Sequence, residues 1–193
     1  MSDAPPSASV LLVDEHDRAI GEADKMAAHQ PPGMLHRALS GFITDDAGRL
    51  LLQRRAPTKH HFAGRWSNSF CTHPRPDETP VAAGERRMIE ELGITCPLEA
   101  VGSFTYRATD PVSGLVEHEF DHVLVGRTNE QPRPVRSEVD ATRSLWVDEL
   151  ADDLAAHPDR YTPWLAPALA IALGHRSMAP TARTRAPEPR IEP

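Results

Sequence analysis

Runs of alternating apolar and polar residues divide the chain into short strands, and one segment has helical period. Val10–Val13, the polar turn Asp14–Asp17 and Arg18–Ile20 read as a small hairpin. Asp24 to Ala28 reads as a turn of helix or loop that ends at His29, before the breakers Pro31, Pro32 and Gly33. Met34 to Thr44 is a long strand, Asp45–Gly48 a turn, and Arg49 to Arg54 its hairpin partner. Arg55 to Pro76 has no regular period and is crowded with His, Lys, Arg and Trp; such a loop is a candidate site. Thr79 to Leu92 carries Val81, Met88 and Leu92 at helical spacing and stops at Gly93. Two further strands follow, Leu98 to Arg107 and Leu115 to Val125, joined through Asp-Pro and Ser-Gly turn pairs. A strand over Ser144 to Val147 and helices over Asp148 to Ala156 and Pro163 to Leu173 complete the pattern. The order argues for an α+β domain with a mixed sheet.

Composition narrows the class. The chain has 193 residues with 39% hydrophobic and 25% charged, enough for one domain with a full core. Residues 10–174 are read as that domain; Met1 to Ser9 and 175–193, rich in Pro with little apolar content, are expected to be disordered. A formal charge of −7 gives no net field for nucleic acid. No apolar run reaches membrane-spanning length, and Met1 to Ser9 shows no basic region followed by an apolar one. Two cysteines cannot build a disulfide framework and suit a reducing compartment, so a cytoplasmic protein is expected. No long exposed apolar stripe demands a partner; a monomer or weak homodimer is expected.

Candidate chemistry gathers at few positions. Glu117 and Glu119, two apart on a strand, leave the same face and repel unless a cation or a shared proton intervenes. With His29, His36 and His73 they form a donor set suited to Mn or Zn, although each of ten histidines taken singly is more often an ordinary surface residue. Cys71 and His73 are also two apart, which would make the thiol reactive; the bland alternative is a buried structural cysteine, the role assigned to Cys96. The run from Glu78 through Arg86-Arg87-Met88-Ile89-Glu90-Glu91-Leu92-Gly93-Ile94 fits the spacing of the Nudix box. Thr72 stands where that box has glycine, and Arg87 where it has an acid. A cation at position 87 repels Mg²⁺ and attracts phosphate, so the hydrolytic cluster is damaged on a Nudix-like scaffold.

Taken together, Trp66-Ser67-Asn68-Ser69-Phe70-Cys71-Thr72-His73-Pro74, Tyr106-Arg107-Ala108, Glu117-His118-Glu119, Leu35-His36-Arg37-Ala38 and Tyr161-Thr162-Pro163-Trp164 resemble the type I isopentenyl-diphosphate isomerases. The resemblance implies a Nudix-like mixed sheet sandwiched between helices, with an N-terminal extension. It implies an enzyme that interconverts isopentenyl and dimethylallyl diphosphate, with Cys71, Glu119 and Tyr106 as catalytic groups. It assigns His29, His36, His73, Glu117 and Glu119 to a Mn²⁺ or Zn²⁺ ion and Glu91 to a Mg²⁺ that travels with the diphosphate. Lys25, Arg55, Lys59 and Arg87 become the cationic clamp, and Trp164 the aromatic wall. His61-Phe62-Ala63-Gly64 departs from the family's aromatic-Pro-Gly, so a looser loop is expected there. A nucleotide-directed Nudix pyrophosphatase is the alternative, and a non-catalytic diphosphate sensor a third reading.

Overall fold

The sheet is organised by two long pairings that sequence period cannot specify. The computed structural model describes residues 9–178. Strands β1 (Ser9–Val13) and β2 (Ala19–Asp24) form the first hairpin, followed by the short helix α1 (Lys25–His29). Asp24 caps α1, its Oδ1 accepting from the Ala27 amide at 2.9 Å. Then come β3 (His36–Thr44), β4 (Leu50–Arg55), β5 (Trp66–Ser67), β6 (Phe70–Thr72), helix α2 (Pro80–Leu92), β7 (Leu98–Thr109), β8 (Val116–Arg127), β9 (Val139–Leu145), α3 (Val147–Ala156) and α4 (Leu165–Leu173). The mixed α+β architecture expected from the order of elements is the one observed.

Strand β3 runs parallel to β8 along its whole length, from His36↔Glu119 to Thr44↔Arg127, and β8 pairs antiparallel with β7. On its other side β3 meets β4 only at Ile43↔Leu51 and Thr44↔Leu50. Beyond that point the two strands part. Strand β6 takes the freed edge of β3, with Ser40 opposite Cys71, and β5 takes that of β4. The split leaves a cleft between the halves of the sheet.

Each face of the sheet has its own core. One gathers Phe42, Leu52, Val123, Leu165 and Leu169 beneath α3 and α4; the other gathers Leu39, Ile43, Phe70, Met88, Leu92 and Leu124 beneath α2. Helix α2 starts on Thr79, whose Oγ1 accepts from Ala82 N at 3.2 Å, and ends on Gly93 in the left-handed conformation (φ 62°) that glycine adopts without strain. Gly84 lets α2 approach β8: a Cβ there would sit 2.6 Å from Leu124 Cδ1.

Residues 1–8 and 179–193 of the two expected tails lie outside the described residues. Ser9, expected in the first tail, belongs to β1, and residues 175–178 of the second are among those described. Arg176–Met178 form a 3-10 turn, and Met178 packs into the core beneath α4. No helix among the described residues is long and apolar enough to cross a membrane.

Candidate active site

Strand β8 supplies the centre of the site. Its alternation turns Glu117, Glu119 and Asp121 to one face, all buried. Register sets their neighbours. His36 lies beside Glu119 on β3 and Tyr106 opposite it on β7. Lys25 and His29, four apart, come from α1 in the N-terminal extension; Arg87 and Glu91, four apart, come from α2. Lys25, Arg55, Lys59, Cys71, His73, Arg87, Glu91, Tyr106, Glu117, Glu119 and Trp164 all line one cavity of about 810 Å³ in the cleft, and His29 and His36 lie buried beside it. Every site residue expected from sequence is therefore brought to one place.

One atom each from His29, His36, His73, Glu117 and Glu119 falls within 4.8 Å of all the others. His29 Nδ1 donates to Lys25 O at 2.6 Å and His36 Nδ1 to Met34 O at 2.8 Å. Those bonds fix the tautomers and leave each Nε2 a bare lone pair aimed inward. His36 Nε2 faces His73 Nε2 at 3.1 Å, His29 Nε2 faces Glu117 Oε2 at 3.1 Å, and His73 Nε2 faces Glu119 Oε1 at 3.0 Å. Lone pairs that converge in a buried space need a shared cation, and three imidazoles with two carboxylates suit a divalent transition metal. The donor set fits such an ion.

Asn68 organises the thiol side. Its Nδ2 donates to Gly41 O at 3.2 Å and Phe70 O at 2.8 Å. Its Oδ1 accepts from Ser67 Oγ at 2.8 Å, Cys71 Sγ at 3.1 Å and Trp164 Nε1 at 3.2 Å. Because the indole can only donate, the amide orientation is unambiguous. Cys71 is partly buried and lines the cavity. Burial, reinforced by Asp121 and Glu91, pushes its pKa up to about 12, so the thiol rests protonated. In the same cavity the Tyr106 hydroxyl donates to Glu119 Oε2 at 2.5 Å. Trp164, 3% exposed, meets Phe62 edge-on at 5.4 Å and lies 6.0 Å from Tyr106.

Cations collect at one end. Arg87 donates to Glu91 Oε1 at 2.6 Å, Lys59 lies 3.8 Å from the same oxygen, and both contact Glu138. Glu91 is buried, which raises its pKa. The Nε atoms of Arg55 and Arg87 are buried without a partner among the described residues. The guanidinium and ammonium groups of Lys25, Arg55, Lys59 and Arg87, which line the cavity, suit an anion with several oxygens.

Sequence reasoning missed three residues here: Asn68, His61 and Glu138. Asn68 sits in a quoted motif without a role. Glu138 lies in an irregular stretch and carries no local signal. The looser loop expected at His61–Gly64 is not what the structure shows. Phe62 is 3% exposed in a left-handed conformation (φ 47°), and the Gly64 amide donates to Arg55 O at 3.1 Å. The buried Phe62 ring packs edge-on against Trp164.

Comparison with known proteins agrees with this geometry. The NUDIX domain family model matches residues 34–165. The fold is shared with DR0079 from Deinococcus radiodurans (TM-score 0.69, 20% identity, 85% of this chain and 99% of that one). It is shared as well with a MutT protein from Methanosarcina mazei (TM-score 0.54, 19% identity, 61% and 81%). The fold thus defines a Nudix-class protein whose box helix carries Arg87 in place of an acid. Relatives at higher identity are isopentenyl-diphosphate Delta-isomerases. The one numbered 2 from Aromatoleum aromaticum is 50% identical over 171 residues, covering 88% of each chain. That of Nocardia farcinica is 48% identical, covering 84% of this chain and 93% of its own. The chain belongs to the isopentenyl-diphosphate Delta-isomerase family.

Proposed function

We propose that the protein interconverts isopentenyl and dimethylallyl diphosphate, with Cys71 and Glu119 as the two proton-transfer groups. The observation that carries this reading is a protonated thiol and a Tyr106-bound carboxyl opening into one cavity whose far end is cationic. An isolated alkene is a weak base. Protonating it gives a tertiary carbocation, and a second group must remove a proton from the neighbouring carbon. Groups on opposite sides of the substrate satisfy both needs.

Lys25, Arg55, Lys59 and Arg87 hold the diphosphate, and that binding orients the short apolar chain between Cys71 and Glu119. Tyr106 positions the Glu119 carboxyl. The face of Trp164 stabilises the cation by roughly 1–2 kcal/mol. The enclosing aromatic side chains exclude water, which would otherwise trap the cation as an alcohol. His29, His36, His73, Glu117 and Glu119 would hold Mn²⁺ or Zn²⁺, which supplies positive charge that fixes and acidifies the Glu119 side. Glu91 would hold Mg²⁺ bound with the diphosphate. A cytoplasmic monomer or weak homodimer, without nucleic acid or membrane, completes the reading.

The Nudix pyrophosphatase alternative needs an intact acidic box. Arg87 neutralises Glu91 instead, which supports the isomerase. Replacing Cys71 by Ala or Glu119 by Gln is expected to abolish interconversion in a coupled product assay. Full turnover in either variant would overturn the assignment.

A further inference from the structure

His61 has no role assigned by the motifs above, yet its ring touches the most buried part of the site. It is 8% exposed and stacks on His29 with centroids 5.1 Å apart at 25°. Its Nε2 contacts Glu117 Oε1, the oxygen that does not face His29; Oε2 takes that role at 3.1 Å. Its Nδ1 is buried without a partner among the described residues, so the ring's one polar engagement is with Glu117. The His61 carbonyl accepts from Arg55 Nη2 at 3.0 Å, which ties the same residue to the cationic end.

We propose that His61 is a positioning residue for the metal centre, holding the outer oxygen of Glu117 so that the inner one is presented to the ion together with His29. The inference rests on the metal-centre reading given above. Glu117 and Glu119 leave one strand on one face and repel each other. A carboxylate so placed swings away unless its second oxygen is anchored. A neutral imidazole with its proton on Nε2 is such an anchor, and its bare Nδ1 then accounts for the orphaned atom. Outer partners of metal-binding carboxylates and imidazoles typically contribute about 10–100-fold in metal affinity.

The test uses metal-free full-length protein titrated with Mn²⁺ alone, the free ion being read by electron paramagnetic resonance. Three proteins are compared: the parent, His61→Leu and His61→Gln. Leucine fills the space without a donor; glutamine restores a donor near the Nε2 position. Thermal unfolding of the metal-free proteins checks that each is folded, and if the leucine variant does not fold, His61→Asn takes its place as the donor too short to reach. The expected result is a loss of about 10–100-fold in Mn²⁺ affinity for leucine, and recovery to within about threefold of the parent for glutamine. Leucine binding Mn²⁺ as tightly as the parent, or leucine and glutamine equally weakened, would overturn the proposal while leaving the metal centre standing. A parent protein that binds no Mn²⁺ would overturn the centre itself, and His61's role with it.

Discussion

Replacing Asn68 by Asp is the most informative single-atom change in this site. The shape is kept, so no cavity forms. The acceptor half, which takes bonds from Ser67, Cys71 and Trp164, also survives. The donor half is lost: an oxygen replaces Nδ2 opposite Gly41 O and Phe70 O, in a place with no solvent exposure. An ionised carboxylate there faces two carbonyls, so the folded variant takes up a proton. Protonating an aspartate at pH 7 against an ordinary value near 3.9 costs about 4 kcal/mol, and one O–H replacing two N–H donors costs about 1 more. Donors at the other oxygen favour the charged form and trim the total, giving about 3–5 kcal/mol at pH 7. At pH 5 the protonation cost falls to about 1.5 kcal/mol, for a total of about 2. The sign follows from a folded pKa raised above the unfolded one. The protonation part of the penalty is absent below about 3.9 and grows as pH rises toward the folded value. Urea unfolding of parent and variant at pH 5 and 7 measures the difference. A destabilisation below 1 kcal/mol, or one equal at both pH values, would refute the placement of Asn68.

The clamp, the metal centre and the box helix each give a further expectation. Arg87→Gln removes a charged donor at the diphosphate end and leaves Glu91 to Lys59 and Gln53; kcat/KM should fall about 10–100-fold, as expected for about 1.5–3 kcal/mol, and an unchanged value in steady-state kinetics would remove Arg87 from the clamp. Chelation should lower the melting temperature, and readdition of Mn²⁺ at a thousandfold excess over its Kd should restore about 4 kcal/mol; a transition indifferent to chelator would show the five donors hold no ion. Glu78 is bound by Arg86 at 2.6 and 2.7 Å, which holds its carboxyl down at about 2. Because that folded pKa lies below the ordinary one, the stabilisation is complete above about 4.5 and lost as pH falls toward 2. Glu78→Gln should therefore cost about 1 kcal/mol at pH 7, after allowance for screening at a solvent-facing pair, and almost nothing near pH 2 in the same unfolding assay.

Much of this site was legible because its residues carry local signals. Glu117 and Glu119 share a face through the period of a strand, Lys25/His29 and Arg87/Glu91 through the turn of a helix, and Cys71 and His73 through two-residue spacing. The elements with clear period, β3, α2 and β8, fall within two residues of their expected ends. Other features depend on packing across distance. Strand β9 covers Val139–Leu145 rather than Ser144–Val147, because its residues are nearly all half-buried and show no apolar alternation. Strands β5 and β6, two and three residues long, are too short to show a period; their existence follows from the parting of β3 and β4. His61 and Glu138 take their roles from Glu117, Lys59 and Arg87, and Asn68 ties its immediate neighbours to Gly41 and Trp164; such distant partners are not revealed by local pattern. Met178 follows a polar, helix-breaking stretch and packs into the core beneath α4.

The most direct measurement incubates the metal-replete protein with isopentenyl diphosphate and Mg²⁺ in heavy water and reads the products by mass spectrometry and NMR. Proton transfer by a thiol and a carboxyl that line one cavity predicts dimethylallyl diphosphate carrying solvent deuterium, with no alcohol formed and no phosphate released. Recovery of unlabelled substrate, or cleavage of the diphosphate in its place, would contradict the account.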